Sequence, residues 1–357
     1  MERETKMVRT SRWNSFWYFS IIALLLAGWL CLGTACGSSE AQNGEDGAEY
    51  PEVTDTGFYL DTTVTITLYD WSDPKTIQKA FDEIARLERL LSVEMDGSDA
   101  ANISENAGVQ PVAAAPETLE VLKSAQKYAS LSGGKFDVTI GPLVSLWDIH
   151  DGSGYVPTVE ERQNAQRQID YRKLSVKGDT VFLEDAGMKM NLGAIAKGYI
   201  ADRVKALLQK EGVKHAVINL GGNVAVIGKK PDGHPFCIGI QDPLGNTGEI
   251  IGALEVADGS LVSSGNYERY FEQNGVRYHH ILDPDSGAPA ETGLSGVTVL
   301  TEKSVDGDAL STTLFLLGME QGKKLIESID GAEALFVDQS GTIMVTDGLE
   351  GKLIVYE

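Results

Sequence analysis

The chain has 357 residues, 42% of them hydrophobic, which is enough to build one large core or two. Its 52 acidic and 30 basic side chains leave a formal net charge of −22, which argues against a nucleic-acid partner, since such a partner calls for a basic face. The acidity is dispersed rather than gathered into a tail, as suits a soluble body outside the cytoplasm or a highly charged soluble surface.

At the N-terminus Arg3, Lys6, Arg9 and Arg12 precede the apolar run FWYFSIIALLLAGWLCLG, and Gly33, Thr34 and Ala35 then lead into Cys36. This layout predicts a secretory signal over residues 1–35. A run of this length could also stay as an anchor, the second reading, because a span takes about 20 apolar residues. Cys36 followed by GSSEAQNGEDGAE resembles a bacterial lipoprotein lipobox, with Gly33 where that motif usually carries an aliphatic residue. The resemblance implies lipidation at Cys36 and an extracytoplasmic body anchored to the cell membrane. Residues 36–52 then form the lipidated N-terminus and a flexible linker, and residues 53–357 the folded domain.

The alternation in FYLDTTVTITLYD predicts a strand over Phe58–Asp70. Apolar residues at helical spacing predict helices over Lys75–Leu91, Thr118–Leu131 and Ile195–Glu211. Between them Lys173–Leu183 alternates as a hairpin turning at Lys177-Gly178-Asp179. HAVINLGGNVAVIG reads as strands around a glycine turn, followed by strands in FCIGIQDP and ALEVADGSLVSSG. Short strands with glycine turns close the chain. Strands and helices mix without regular βαβ alternation and without a repeat, so the predicted class is α+β.

Several polar, glycine-rich stretches are too specific for plain architecture. In SVDGDALSTTLFLLG, Ser304–Gly318, Asp308 and Thr312 stand four apart and share one face of a predicted helix. A carboxylate and a hydroxyl there either cap the helix or hold a hard cation. A calcium loop beginning at Asp306 is excluded, because Ser311 and Leu317 occupy the places of its glycine and glutamate. In MNLGAIAKGYIADRV, Gly193 and Gly198 have the spacing of half a P-loop, but Tyr199 stands where that motif needs lysine. INLGGNVAVIG lacks the dinucleotide-binding spacing. In YHHILDPDSGAPA, His279 and His280 precede an Asp-Pro turn, where a histidine is either a buried structural group or a proton acceptor.

Taken in order, KFDVTIGPLVSLW, NLGAIAKGYIAD, INLGGNVAVIG, SSGNYERYF, HHILDPDSG and VDGDALSTTLFLLG resemble the ApbE family of FAD:protein FMN transferases. The resemblance runs from about Thr54 to near the C-terminus. It implies one catalytic domain that uses Mg²⁺, cleaves FAD, links its FMN half to a threonine or serine hydroxyl of another protein and releases AMP. By the same resemblance Asp308, Thr312 and the backbone carbonyl of Ala194 hold the metal. Asn191, where the family often has aspartate, approaches FAD together with Lys197 and the Lys135-Phe136-Asp137 stretch. Leu60 packs on a ring in the place of a family methionine, Ile281 lines the same pocket, and His280 helps the acceptor hydroxyl attack. Val93 and Glu94 stand where a ring-stacking aromatic often occurs.

Two other functions use the same residues. With water as acceptor the site would be an FAD pyrophosphatase, yielding FMN and AMP. Without chemistry the chain would be an exported flavin-binding lipoprotein. No acceptor motif for self-modification is visible, so the expected acceptor is another chain, an exported or membrane-bound redox protein with an FMN-binding domain.

Overall fold

The run read as one strand over Phe58–Asp70 folds instead as the turn and second arm of a hairpin. The computed structural model, which describes residues 50–149 and 154–355, pairs Glu52–Tyr59 with Thr62–Tyr69 in antiparallel register. Leu60 and Asp61 form the two-residue turn with φ of 55° and 54°, the left-handed pair that suits the twist of a hairpin. Leucine has no preference for that region. Here Glu88 secures it, its Oε1 accepting the Leu60 N–H at 2.7 Å.

This hairpin starts an eight-stranded sheet. Its remaining strands are Ala216–Leu220, Asn223–Ile227, Ser260–Gly265, Leu294–Thr301, Glu333–Asp338 and Ile343–Val345. Spatial order follows chain order and every neighbouring pair is antiparallel. Seven α-helices occur among the described residues: α1 Lys75–Leu91, α2 Asp99–Glu105, α3 Pro116–Leu131, α4 Gly141–Trp147, α5 Val159–Gln166, α6 Ala196–Lys210 and α7 Ser304–Ile326.

The two faces of the sheet follow from residue alternation. Ile66, Ile218, Val299 and Phe336 face a core shared with α1, α6 and α7, while Val226, Leu335 and Val337 face the opposite way. There they meet a three-stranded sheet of Phe236–Gln241, Ile250–Val256 and Ile354–Val355. Helix α1 buries Ile77, Phe81, Ile84, Leu87 and Leu91, the stripe its spacing predicts. The class is α+β.

Three features lie beyond the sequence reading. Helices α4 and α5 fill the region before the Leu174–Lys177/Thr180–Leu183 hairpin, and α5 starts on a capping box between Thr158 and Glu161. A separate hairpin, Tyr270–Gln273 with Val276–His279, turns at Asn274-Gly275. Helix α7 does not stop at Gly318 but kinks there, at φ 74° and ψ 176°, and continues to Ile326.

Residues Glu49–Glu357 form one compact unit. The predicted signal, Cys36 and most of the linker lie outside the described residues. Among the described residues no helix is long and apolar enough to cross a membrane.

Candidate active site

Helices α6 and α7 cross in close backbone contact at Gly198. Asp308, 4% exposed, accepts the Gly198 N–H on Oδ2 at 2.8 Å. Gly198 is the third residue of α6, so its N–H is one of the first-turn donors that no carbonyl of the helix takes. Asp308 supplies that acceptor, and Ala194, two residues before the helix begins, keeps its oxygen outside the helical ladder. Burial raises the Asp308 carboxyl above its usual range, and the Lys197 cation and the Gly198 N–H oppose that rise. One turn further along α7, Thr312 Oγ1 lies 3.2 Å from Ser264 Oγ, which in turn lies 2.8 Å from Ser311 Oγ. Asp306 faces elsewhere, bonded to the Tyr128 hydroxyl and 3.6 Å from Lys127 Nζ.

Within electrostatic reach of Lys197 stands the base of the Tyr270–His279 hairpin, which carries Arg269 and His280. The His280 N–H donates to the Arg269 carbonyl at 3.0 Å, and His280 Nδ1 lies 3.3 Å from the same oxygen. An Nδ1–H donated there leaves the lone pair on Nε2, the atom a base needs. Desolvation first, then His279, Lys197 and Arg269, lower His280 to about 3, so the ring is neutral near pH 7. Its neighbour faces the interior. His279 is 6% exposed, its Nε2 is 3.1 Å from the Ala290 carbonyl, and its ring stands edge-on to Phe315 at 5.6 Å. Burial lowers His279 to about 4.

Lys197 lies within electrostatic reach of Asp308, His280 and a further acid, Glu268. Glu268 keeps an exposed side, yet desolvation by the surrounding walls raises its carboxyl; Lys197 and Arg269 counter this and Asp308 adds to it. Sequence reasoning singled out neither Glu268 nor Arg269. Both sit in SSGNYERYF, where an adjacent acid and base come three and four residues after a buried strand end at Gly265.

The other expected flavin contacts divide. Leu60 is half-buried on its turn, and Arg269 Nη2 ties that turn to the His280 wall through the Asp61 carbonyl at 3.4 Å. Asn191 is half-buried and its Oδ1 accepts the Gly193 N–H at 3.0 Å, shaping the entry to α6. By contrast Lys135 Nζ is held between Asp283 Oδ1 and Asp285 Oδ2, each at 2.8 Å. Phe136 is 2% exposed and packs edge-on to Tyr128, while Ile281 is 4% exposed within the core. Asp137 spends both oxygens internally, Oδ1 accepting from the Thr139 N–H and hydroxyl and Oδ2 from the Tyr171 N–H. Lys135, Phe136, Asp137 and Ile281 therefore each have partners within the protein.

Lys197 thus lies within electrostatic reach of both Asp308 and His280, Thr312 stands one turn beyond Asp308 on α7, Ala194 lies just before α6, and Arg269 joins the Leu60 turn to the strand end that carries His280. The profile of the ApbE family matches residues 60–336. The chain belongs to the ApbE family. Relatives of this ApbE-family chain include the FAD:protein FMN transferase of Klebsiella pneumoniae (strain 342), 36% identical across 80% of this chain and 89% of that protein. The FAD:protein FMN transferase of Treponema pallidum (strain Nichols) is 30% identical across 96% of each. Among solved structures, the flavin transferase ApbE from Vibrio cholerae aligns with a TM-score of 0.76 at 28% identity, over 85% of this chain and 100% of that one. The ApbE protein from Thermotoga maritima aligns with a TM-score of 0.77 at 31% identity, over 85% of this chain and 99% of that one.

Proposed function

We infer that this chain is a Mg²⁺-dependent FAD:protein FMN transferase that attaches FMN to a serine or threonine hydroxyl of another protein. The observation that carries the reading is the α6–α7 crossing, where the buried Asp308 carboxylate takes a first-turn N–H of α6, with the Thr312 hydroxyl one turn further along α7 and the Ala194 carbonyl just before α6. Among the described residues no three His, Cys, Asp or Glu side chains gather as metal ligands. The donors here are one carboxylate, one hydroxyl and one carbonyl, all hard oxygens, which is the preference of Mg²⁺ and leaves coordination places for phosphate and water. Bound there, the cation would neutralise charge on the pyrophosphate of FAD.

The chain's own residues account for the rest. Lys197 and Arg269 place positive charge on the walls of the recess, where a dianionic pyrophosphate is favoured. His280, neutral and with Nε2 free, takes the proton of the acceptor hydroxyl as its oxygen bonds to the FMN-side phosphorus. The bond from that phosphorus to the bridging oxygen breaks, and AMP leaves with the bridging oxygen. At neutral pH a hydroxyl is a poor nucleophile, so a base at this position matters.

The N-terminal pattern supports an extracytoplasmic protein held to the cell membrane by a lipid on Cys36, acting on an exported or membrane-bound redox protein with an FMN-binding domain. The deciding experiment is mass spectrometry of such an acceptor after incubation with this protein, FAD and Mg²⁺. An added FMN on a serine or threonine, with AMP in the supernatant, is the expected result. AMP without a labelled acceptor would replace transfer by FAD hydrolysis.

A further inference from the structure

Helix α7 carries Asp308 and Thr312, yet its own sequence does not cap it: Lys303 at the cap position makes no side-chain capping bond. The first N–H groups of the helix are taken instead by a residue of α6. Asp202 Oδ1 accepts the Ser304 N–H at 2.8 Å and Oδ2 accepts the Val305 N–H at 3.0 Å. Asp202 lies one turn beyond Gly198 on α6, and Ser304 lies one turn before Asp308 on α7. The two helices therefore meet as an antiparallel ladder, in which four residues forward on one are four back on the other. Gly198 with Asp308 is one rung and Asp202 with Ser304 the next. The same register places the start of α6, which Ala194 precedes by two residues, beside the stretch of α7 that carries Asp308.

We propose that Asp202 is a positioning residue for the metal site. By holding both first N–H groups of α7, it fixes the register in which Ala194, Asp308 and Thr312 offer their oxygens to one divalent cation. Two features make this more than a cap. A bidentate carboxylate fixes rotation as well as position, because each oxygen is assigned to a different N–H. The Ser304 side chain is also anchored, its Oγ lying 2.5 Å from Asn223 Oδ1 and 2.9 Å from Ser260 Oγ, so the start of α7 is pinned to α6 and to the sheet at once. A slip of one residue at this rung would rotate Asp308 by about 100° away from the Gly198 N–H.

The inference rests on the metal reading above, and its test separates the two. Mn²⁺ serves as the probe, its binding to the purified protein in the presence of FAD read from the electron paramagnetic resonance of the free ion, with Asp308→Ala as reference. Asp202→Ala is expected to weaken Mn²⁺ binding by about 10–100-fold, as loss of groups that orient ligands does. Asp202→Asn keeps one acceptor oxygen and is expected to fall between Asp202→Ala and the parent; if Asp202→Ala does not fold, Asp202→Asn decides alone through a loss of several-fold. Parent-like Mn²⁺ affinity in the folded Asp202 variants, whatever their melting temperatures, would overturn the proposal and leave Asp202 a stabilising contact. If Asp308→Ala loses Mn²⁺ while the Asp202 variants keep it, only the Asp202 assignment fails. If Asp308→Ala binds Mn²⁺ like the parent, the metal reading falls and takes this inference with it.

Discussion

Gly198 and Asp308 leave no room between them for a methyl group. A Cβ at residue 198 would stand 2.7 Å from Asp308 Cβ and 2.3 Å from the Ser304 carbonyl oxygen. Gly198→Ala gains up to about 1 kcal/mol of helix propensity, whereas overpacking costs about 1–3 kcal/mol. A backbone oxygen cannot swing aside as a side-chain tip can, so overpacking wins. The variant is expected to melt earlier and to lose transfer activity, since the helices must part and lengthen the Gly198–Asp308 bond. Thermal melts beside an FMN-transfer assay check this, and parent-like values in both would show slack at the crossing.

Asp308 separates stability from function. A buried carboxyl whose folded pKa is raised favours folding when protonated, and that contribution is lost as pH rises through the folded value. Asp308→Asn removes the charge but keeps an oxygen for the Gly198 N–H. Without metal it should melt at or above the parent temperature at pH 8, and Mg²⁺ should no longer raise it. Transfer should fall by roughly 10²-fold or more, because several kcal/mol of charge stabilisation depend on the ion. Thr312→Val, which removes a neutral hydroxyl, should raise the Mg²⁺ requirement more mildly. Parent activity of Asp308→Asn at limiting Mg²⁺ would reduce Asp308 to a helix contact.

What was legible in the sequence was what periodicity and local spacing encode. The stripe of α1 and the face shared by Asp308 and Thr312 depend on residues a turn apart, and both are present in the fold. The turn at Leu60-Asp61 was hidden because neither residue is a usual left-handed one; its support comes from Glu88, 28 positions away. Asn274-Gly275 was a readable hairpin signal, and reading it would have put Arg269 and His280 at one base. The inward commitments of Lys135 and Asp137 could not be read, because their partners at Asp283, Asp285 and Tyr171 are far along the chain.

His279 should govern part of the acid sensitivity of the fold. Its pKa is lowered to about 4 against an ordinary 6.5, so the unfolded chain binds more protons between those values. Stability from His279 is therefore complete above about pH 6.5 and lost as pH falls toward 4, with an upper bound of roughly 3 kcal/mol. His279→Gln, measured by denaturant melts from pH 7 to pH 4, should show a shallower loss than the parent. Parallel curves would mean that the buried ring does not set the acid limb.

Cys36→Ala tests the anchor. One covalent lipid site is proposed, so the variant should leave the membrane fraction or accumulate as unprocessed precursor. Fractionation with immunoblotting reads both outcomes. Normal processing with unchanged partitioning would refute lipidation at Cys36 and turn attention to a retained N-terminal span.

His280 is tested by separating binding from chemistry. Its Nδ1 is engaged by the Arg269 carbonyl and its ring is lowered to about 3, so Nε2 is a free acceptor throughout the neutral range. The acid limb of kcat/KM, which reports the unloaded enzyme, should therefore lie well below the ordinary histidine value. Bound pyrophosphate offsets the Lys197 and Arg269 charges that depress the ring, so the limb of kcat should lie above that of kcat/KM. His280→Ala should bind FAD nearly as the parent does, by titration, while fluorescence of FMN fixed to a denatured acceptor falls about 10²–10⁴-fold, the usual worth of acid–base help. Its melting temperature should change little, because the ring is only half-buried. Full transfer by His280→Ala would end the base assignment, and joint loss of binding and transfer would make His280 a contact to FAD instead.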